Sequence, residues 1–500
     1  MASREDWCAD KVSKLLQEDL RIPALNEIKE HLSTIPQNEV SSTIRNLDLP
    51  LVFDCLNDSN TEQVDLACEV LSLCMNNLNL GESTSKYGVS LERALNHPYP
   101  TVKLMALSEI ERNIREEEAL TDICKRSSLL TSIVRCIGDE DISVGKKACD
   151  ITVVIGLSNI GLSQFTSNDV LTVLHEIMTI SEVIRLRVYE VVVNISKESE
   201  NNFVTLVSTG LVSLMLEELN NADVLLRMNV VELLTQLGLS MHGFVYLDQN
   251  GILDKLFALV EDEDDPITVQ LCEPGILKFF GHMAHWKPIE LISKYPKLFD
   301  RLFANIESGD LIIVGVSLDT LGVIGLSSEG KTALSSTGNK ITYAIKTIVK
   351  LLTSYPTEIR IRALNCLENL LRVNDPKIDT MQIARRWFEL FGDDPMQLII
   401  RYAKNPFSET KLAGLGMLQA IAEQQWGQEY IKNTPGLVEF LLDRGVESIK
   451  ECKEAKYEVV KALASSSIFD QSTASKFQAF VAEGPFYVHA VTEVAFERND

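Results

Sequence analysis

A helical phrase recurs along this chain at intervals of 39 to 50 residues, and no other feature limits the fold as much. The phrase is an aliphatic residue, often a basic one, then a small or aliphatic residue that leads into a run with helical spacing. Its copies begin with Val64-Asp-Leu-Ala67, Val102-Lys-Leu-Met-Ala106, Val144-Gly-Lys-Lys-Ala148 and Ile184-Arg-Leu-Arg-Val188. They continue with Val224-Leu-Leu-Arg-Met228, Ile267-Thr-Val-Gln-Leu271, Ile312-Ile-Val-Gly-Val316 and Ile359-Arg-Ile-Arg-Ala363, and weaker copies end at Ala413 and Ala455. Each opens a run with apolar residues at i, i+3/i+4 and i+7/i+8, as in Val188, Val191, Val192, Ile195, which is the pattern of a helix with one buried face. The interval is that of HEAT and armadillo units. The expectation is an all-α fold: an α-solenoid of about ten HEAT/armadillo-like repeats in a single curved superhelix.

A second phrase supports the same period. Leu239-Ser-Met-His-Gly243 leads to Gly251, Leu326-Ser-Ser-Glu-Gly330 to Gly338, and Trp426-Gly427 to Gly436. Each reads as a helix end, a turn, a short helix and a glycine turn into the next helix. A short helix before the long pair favours the armadillo form. Ile151-Thr-Val-Val-Ile155 is β-branched, yet it falls inside a repeated helix, and context overrides propensity there. Asn76 to Tyr87 reads as a polar loop, and turns are expected at Glu261–Pro266, Asp375-Pro376 and Asp394-Pro395. The solenoid is expected over residues 1–485, with 486–500 as a C-terminal tail.

Composition narrows the partners. The chain has 47 Lys+Arg against 71 Asp+Glu, a formal charge of −24. Phosphate backbones and anionic membranes are repelled by such a surface, so neither nucleic acid nor membrane is an expected partner. A basic protein surface is attracted. The start, Met1-Ala-Ser-Arg-Glu-Asp-Trp-Cys8, has no apolar signal core. The apolar stretch Leu311–Leu326 contains Asp319 and is too short to span a bilayer. The ten cysteines have no metal-ligand spacing and read as reduced and buried. The expected compartment is the cytoplasm, with the nucleus as a second one.

Three motifs invite a chemical reading. Gly325-Leu-Ser-Ser-Glu-Gly330-Lys331-Thr332 fits the phosphate-loop pattern, which requires a strand before it and a helix after. The same phrase recurs at Gly238–Gly243 without Lys or Thr, so the repeat explains the turn. A nucleotide-binding enzyme acting through Gly325–Thr332 stays as a remote alternative. His282-x-x-His285 lacks a third zinc ligand. Gly414-Leu-Gly416 lacks the last glycine of a dinucleotide fingerprint. No catalytic residue, cofactor or metal is therefore expected, and the chain reads as a binding protein. One helix stripe carries Arg187, Glu190 and Asn194, and the equivalent stripe carries Arg362, Asn365 and Asn369. The spacing puts each set on one face. Either these residues contact a partner or they are an ordinary solvated face.

Further phrases carry a resemblance. Pro274-Gly-Ile-Leu-Lys-Phe-Phe-Gly281, Arg187-Val-Tyr-Glu190, Ala455-Lys-Tyr-Glu-Val-Val-Lys-Ala-Leu-Ala464 and Glu483-Gly-Pro-Phe-Tyr-Val488 resemble the 26S proteasome non-ATPase regulatory subunit 5 family, over essentially the full chain. The resemblance implies a HEAT/armadillo-like assembly chaperone for the base of the proteasome 19S regulatory particle. Such a protein is expected to hold the C-terminal domain of one AAA ATPase subunit, with a second ATPase and the large base scaffold subunit. It leaves before the mature particle forms, and is a monomer when free. The resemblance supplies no catalytic residues. The alternative is another cytosolic scaffold of the same repeats, for transport or for a phosphatase.

Overall fold

The computed structural model describes residues 4–261, 266–375 and 377–487. Among the described residues every regular element is a helix. All ten phrases lie in helices, here called the anchor helices. They are α1 (Thr61–Asn76), α2 (Pro100–Asn113), α3 (Ile142–Leu157), α4 (Glu182–Ser196) and α5 (Val224–Gly238). The remainder are α6 (Pro266–Met283), α7 (Leu311–Leu326), α8 (Thr357–Leu371), α9 (Ser408–Ala422) and α10 (Lys450–Ala464). The chain forms two compact units, Met1–Gly243 and Phe244–Asp500. In the first, α1 to α5 pack each on the next; in the second, α6 to α10 do the same. Other helices join them, such as the short Ser328–Ser336 and the longer Asn339–Ser354 between α7 and α8. This is the three-helix armadillo form of an α-solenoid.

Helix starts are set by side-chain caps. Asp141 accepts from the amides of Ser143 and Val144 at 2.9 and 3.1 Å. Asp223 accepts from Leu225 and Leu226 at 2.7 and 3.2 Å, and Asp310 from Ile312 at 2.8 Å. A carboxylate there satisfies amides that the helix cannot. The caps also correct the register read from the sequence. The first buried apolar residues are Val144, Leu226 and Val314, so the phrases starting at Val224 and Ile312 are two residues early. Met228 and Val316 are only half-buried, and Leu271 is 52% exposed. The extra aliphatics of the first turn lie outside the core and mimic its pattern.

The second phrase is a helix corner. The hydroxyls of Ser158, Ser240 and Ser327 accept from the amides of Gly161, Gly243 and Gly330 at 3.0, 3.1 and 2.9 Å. The chain bends by 115° between Leu311–Leu326 and Ser328–Ser336. Each of these glycines sits so close to a backbone carbonyl of the preceding helix (Ile155, Leu237, Ile324) that a Cβ would overlap it. The expected glycine turns hold too: Gly251, Gly338 and Gly436 have φ of 67°, 63° and 73°. One expected loop is corrected. Glu82–Leu95 is helical, because Gly81 turns left-handed and donates its amide to Asn113 Oδ1 at 2.5 Å, which starts a helix inside the polar stretch. Asp394 caps the helix from Pro395, as the turn there requires. Residues 262–265, Pro376 and 488–500 of the expected turns and tail lie outside the described residues.

Gly330→Ala should lower unfolding stability by about 1–3 kcal/mol, the cost of overpacking a closed site. Gly309→Ala, with nothing near its missing Cβ, should be close to neutral. Denaturant titration of the two variants checks this.

Candidate functional site

Successive anchor helices run parallel. In the first unit Gly145 near the start of α3 lies under Arg187 near the start of α4, and Gly156 near the end of α3 lies under Ile195 near the end of α4. In the second, Gly315 of α7 faces Arg362 of α8, and Gly325 faces Leu370. Their outward stripes therefore make one face in each unit.

The stripe residues divide into two kinds. Glu190 and Asn365 are exposed, and Arg187, Asn194, Arg362 and Asn369 are half-buried. Arg187 donates to the carbonyls of Ile137 and Asp139 at 3.0 and 2.9 Å, capping the turn before α3. Asn194 accepts from Lys197 at 2.9 Å. Arg362 pairs with Asp319 of α7 at 2.5 Å and with Glu358 at 3.2 Å. Asn369 offers its carbonyl to Lys331 at 2.9 Å. The two arginines thus stitch neighbouring repeats, and the exposed carboxylate and amide beside them face solvent.

The packing also forms clefts that the phrase pattern could not locate. One, of about 510 Å³, lies between α1 and α2 and is lined by Glu69, Ser72, Leu73, Leu104 and Ser108. Another, of about 250 Å³, lies between α6 and α7 against Lys278, His282, Asp319 and Thr320. Their walls come from different repeats, so only side-by-side packing assembles them. His285 is exposed and meets the Trp286 ring edge-on. Among the described residues no group of His, Cys, Asp and Glu has the makings of a metal site. All ten cysteines are buried and none forms a disulfide. Gly414 lies against the backbone of Tyr402 and Ala403, so it serves helix packing.

Gly325–Thr332 is not a phosphate loop. It is helical on both sides of its corner. Lys331 is 1% exposed. Its amine points inward and donates to the carbonyls of Gly325 and Asn369, near the ends of α7 and α8. The Thr332 hydroxyl donates to Ser328 O at 3.0 Å, within its own helix. Neither side chain can meet a phosphate or its magnesium without leaving these partners. Burial pushes the Lys331 amine down to about 7 from an ordinary 10.5, while the two helix-end carbonyls favour the ammonium. Between those values the unfolded chain binds this proton more tightly than the folded one, so stability rises with pH across that window and the penalty is complete below it. The stability of wild type relative to Lys331→Met should therefore increase from about pH 7 to about pH 10. Denaturant titrations at several pH values check this, and ATP should leave both melting temperatures unchanged.

The fold and this face can be set beside known proteins. The family described as "Proteasome non-ATPase 26S subunit" matches residues 4–500. The chain is 33% identical to "26S proteasome non-ATPase regulatory subunit 5" of Bos taurus and of Homo sapiens, over 97% of this chain and 98% of each relative. It is 27% identical to the protein of the same name in Drosophila melanogaster, over 99% of both. Among solved structures, an engineered protein aligns at a TM-score of 0.39 and 15% identity, over 84% of this chain and 99% of its own. A designed armadillo repeat protein aligns at 0.36 and 15% identity, over 50% of this chain and 98% of its own. On the sequence match across its length, this chain belongs to the proteasome non-ATPase 26S subunit family, alongside the relatives named 26S proteasome non-ATPase regulatory subunit 5.

Proposed function

We propose that this chain is an assembly chaperone for the base of the proteasome 19S regulatory particle. In this reading it holds the C-terminal part of one AAA ATPase subunit, meets a second ATPase and the large base scaffold subunit, and leaves before the mature particle forms. The observation that carries the reading is the similarity along 97% of the chain to relatives named as a non-ATPase regulatory subunit of the 26S proteasome. The fold suits it. Parallel anchor helices offer a long surface held rigid by their own packing, and a rigid surface loses little entropy on binding. The mechanism is steric: while the chaperone covers a surface of the ATPase, no later component can dock there.

In the proposed contact, Glu190 and Asn365 touch the partner directly, flanked by Arg187, Asn194, Arg362 and Asn369. The net charge of −24 steers a basic partner surface toward the chain and makes the association rate fall with salt. The cytoplasm and nucleus are the compartments where such a step takes place.

The test uses the purified full chain and the C-terminal domain of each base ATPase, by calorimetry or size-exclusion chromatography. One ATPase domain should bind and the others should not. Glu190→Lys combined with Asn365→Lys should weaken that binding by about tenfold or more without changing the melting temperature. Failure of every ATPase domain to bind, with recovery of transport or phosphatase components instead, would overturn the reading.

A further inference from the structure

Large aliphatic side chains stand in water at the starts of three neighbouring helices. Ile142 is the first residue of α3 and is 74% exposed; Val183 and Leu225 are the second residues of α4 and α5, at 61% and 69%. Ile180, in the turn before α4, is 59% exposed and reaches back over Gly138 ahead of α3. The first turn of a helix favours acids and small polar residues. A single exposed aliphatic there would mean nothing, but these three lie in the first turns of consecutive anchor helices, along one edge. No element of the fold uses them.

The edge is held stiffly. Arg187 bonds the turn before α3, and Lys103 pairs with Asp139 in the same turn at 2.5 Å. Arg185 of α4 pairs with Glu218 at 2.7 Å, just ahead of α5, and Tyr189 donates to the same carboxylate at 3.3 Å. An open cleft of about 470 Å³ adjoins the edge, lined by His175, Met178, Arg185, Glu217 and Asn221 among others.

The charge around the ridge has one dominant sign. Glu140, Glu182, Glu217 and Asp223 are exposed beside it. Among the described residues Glu140, Glu217 and Asp223 make no ion pair, and Glu182 meets Arg185 only at 3.8 Å. Of the nearby cations, Arg185 is engaged by Glu218 and Arg187 by carbonyls, which leaves the exposed Lys146 on α3 and the half-buried Arg227 on α5 against four carboxylates. His175 is the remaining basic side chain in the cleft.

We propose that this edge of α3, α4 and α5 is a docking ridge for a basic amphipathic helix of a partner protein. Adjacent packed helices lie about 8–10 Å apart, and an α-helix places residues i and i+7 about 10.5 Å apart. Apolar residues one heptad apart on the partner therefore seat against Ile142, Val183 and Leu225 in turn, and its Lys or Arg side chains meet the carboxylates. A helix suits the edge better than an extended strand. With no sheet edge among the described residues, a strand would find no backbone partners, whereas a helix satisfies its own. This inference does not depend on the proteasome reading.

A fluorescent helical peptide of three heptads, with one Leu stripe flanked by Lys, tests it against the full chain; a counterpart with Glu for Lys is the control. The Lys peptide should bind with an affinity that falls with salt, and the Glu peptide should not. Ile142→Ser/Val183→Ser/Leu225→Ser should weaken binding by about tenfold or more, with the melting temperature unchanged. Glu140→Lys/Glu217→Lys, whose side chains make no helix-cap bond, should weaken it as well and decides the matter if the serine variant fails to fold. Binding that survives both variants would overturn the proposal. So would a wild-type dimer that the serine variant disperses, since the ridge would then be covered by a second copy.

Discussion

Each anchor helix has more apolar surface than one neighbour can cover, and the rest of the structure follows from that. In α7, Val314, Leu318, Leu321 and Ile324 are all essentially inaccessible. The helix packs on α6 at one flank and α8 at the other. Burying one such side chain contributes about 1.5–3 kcal/mol, which a lone hairpin cannot collect. Stability in such an array comes from each repeat meeting the next. The Ser-x-x-Gly corners serve that requirement by letting the chain fold back tightly enough to bring the next helix into contact.

Side-by-side packing creates a second demand. Every anchor helix ends in carbonyls that have no partner within the helix. Long polar side chains from the following repeat reach back to them. Arg112 donates to Met75 O at 2.8 Å, and Gln424 to Leu371 O at 2.7 Å. Lys331 reaches back to α7 and forward to α8 at once. The consequence is electrostatic. A chain with 47 basic residues against 71 acidic ones turns several of its cations inward to cap helices, while carboxylates such as Glu140, Glu190 and Glu217 stay in solvent.

Much of this architecture is legible in the order of the residues. Period and helical pattern mark all ten anchor helices, and the glycines at 251, 338 and 436 mark turns. The first-turn aliphatics pass for core because periodicity cannot distinguish Ile312, which is 71% exposed, from Val314, which is buried; the cap at Asp310 makes that difference. The polar stretch around Gly81 looks like a loop because its helix is stabilised by Asn113, distant in sequence. Lys331 matches a phosphate motif for a related reason: the motif records residue order, and the direction of a lysine is set by what packs around it.

The sequence by itself determined the class of fold, the repeat, its period and the family, because these depend on local apolar spacing and on residue order. Only the tertiary structure decided which stripe side chains stay in solvent, which are staples between repeats, and where an apolar edge is left in water. Those outcomes depend on the neighbour that each helix meets, and that neighbour lies about forty residues away along the chain.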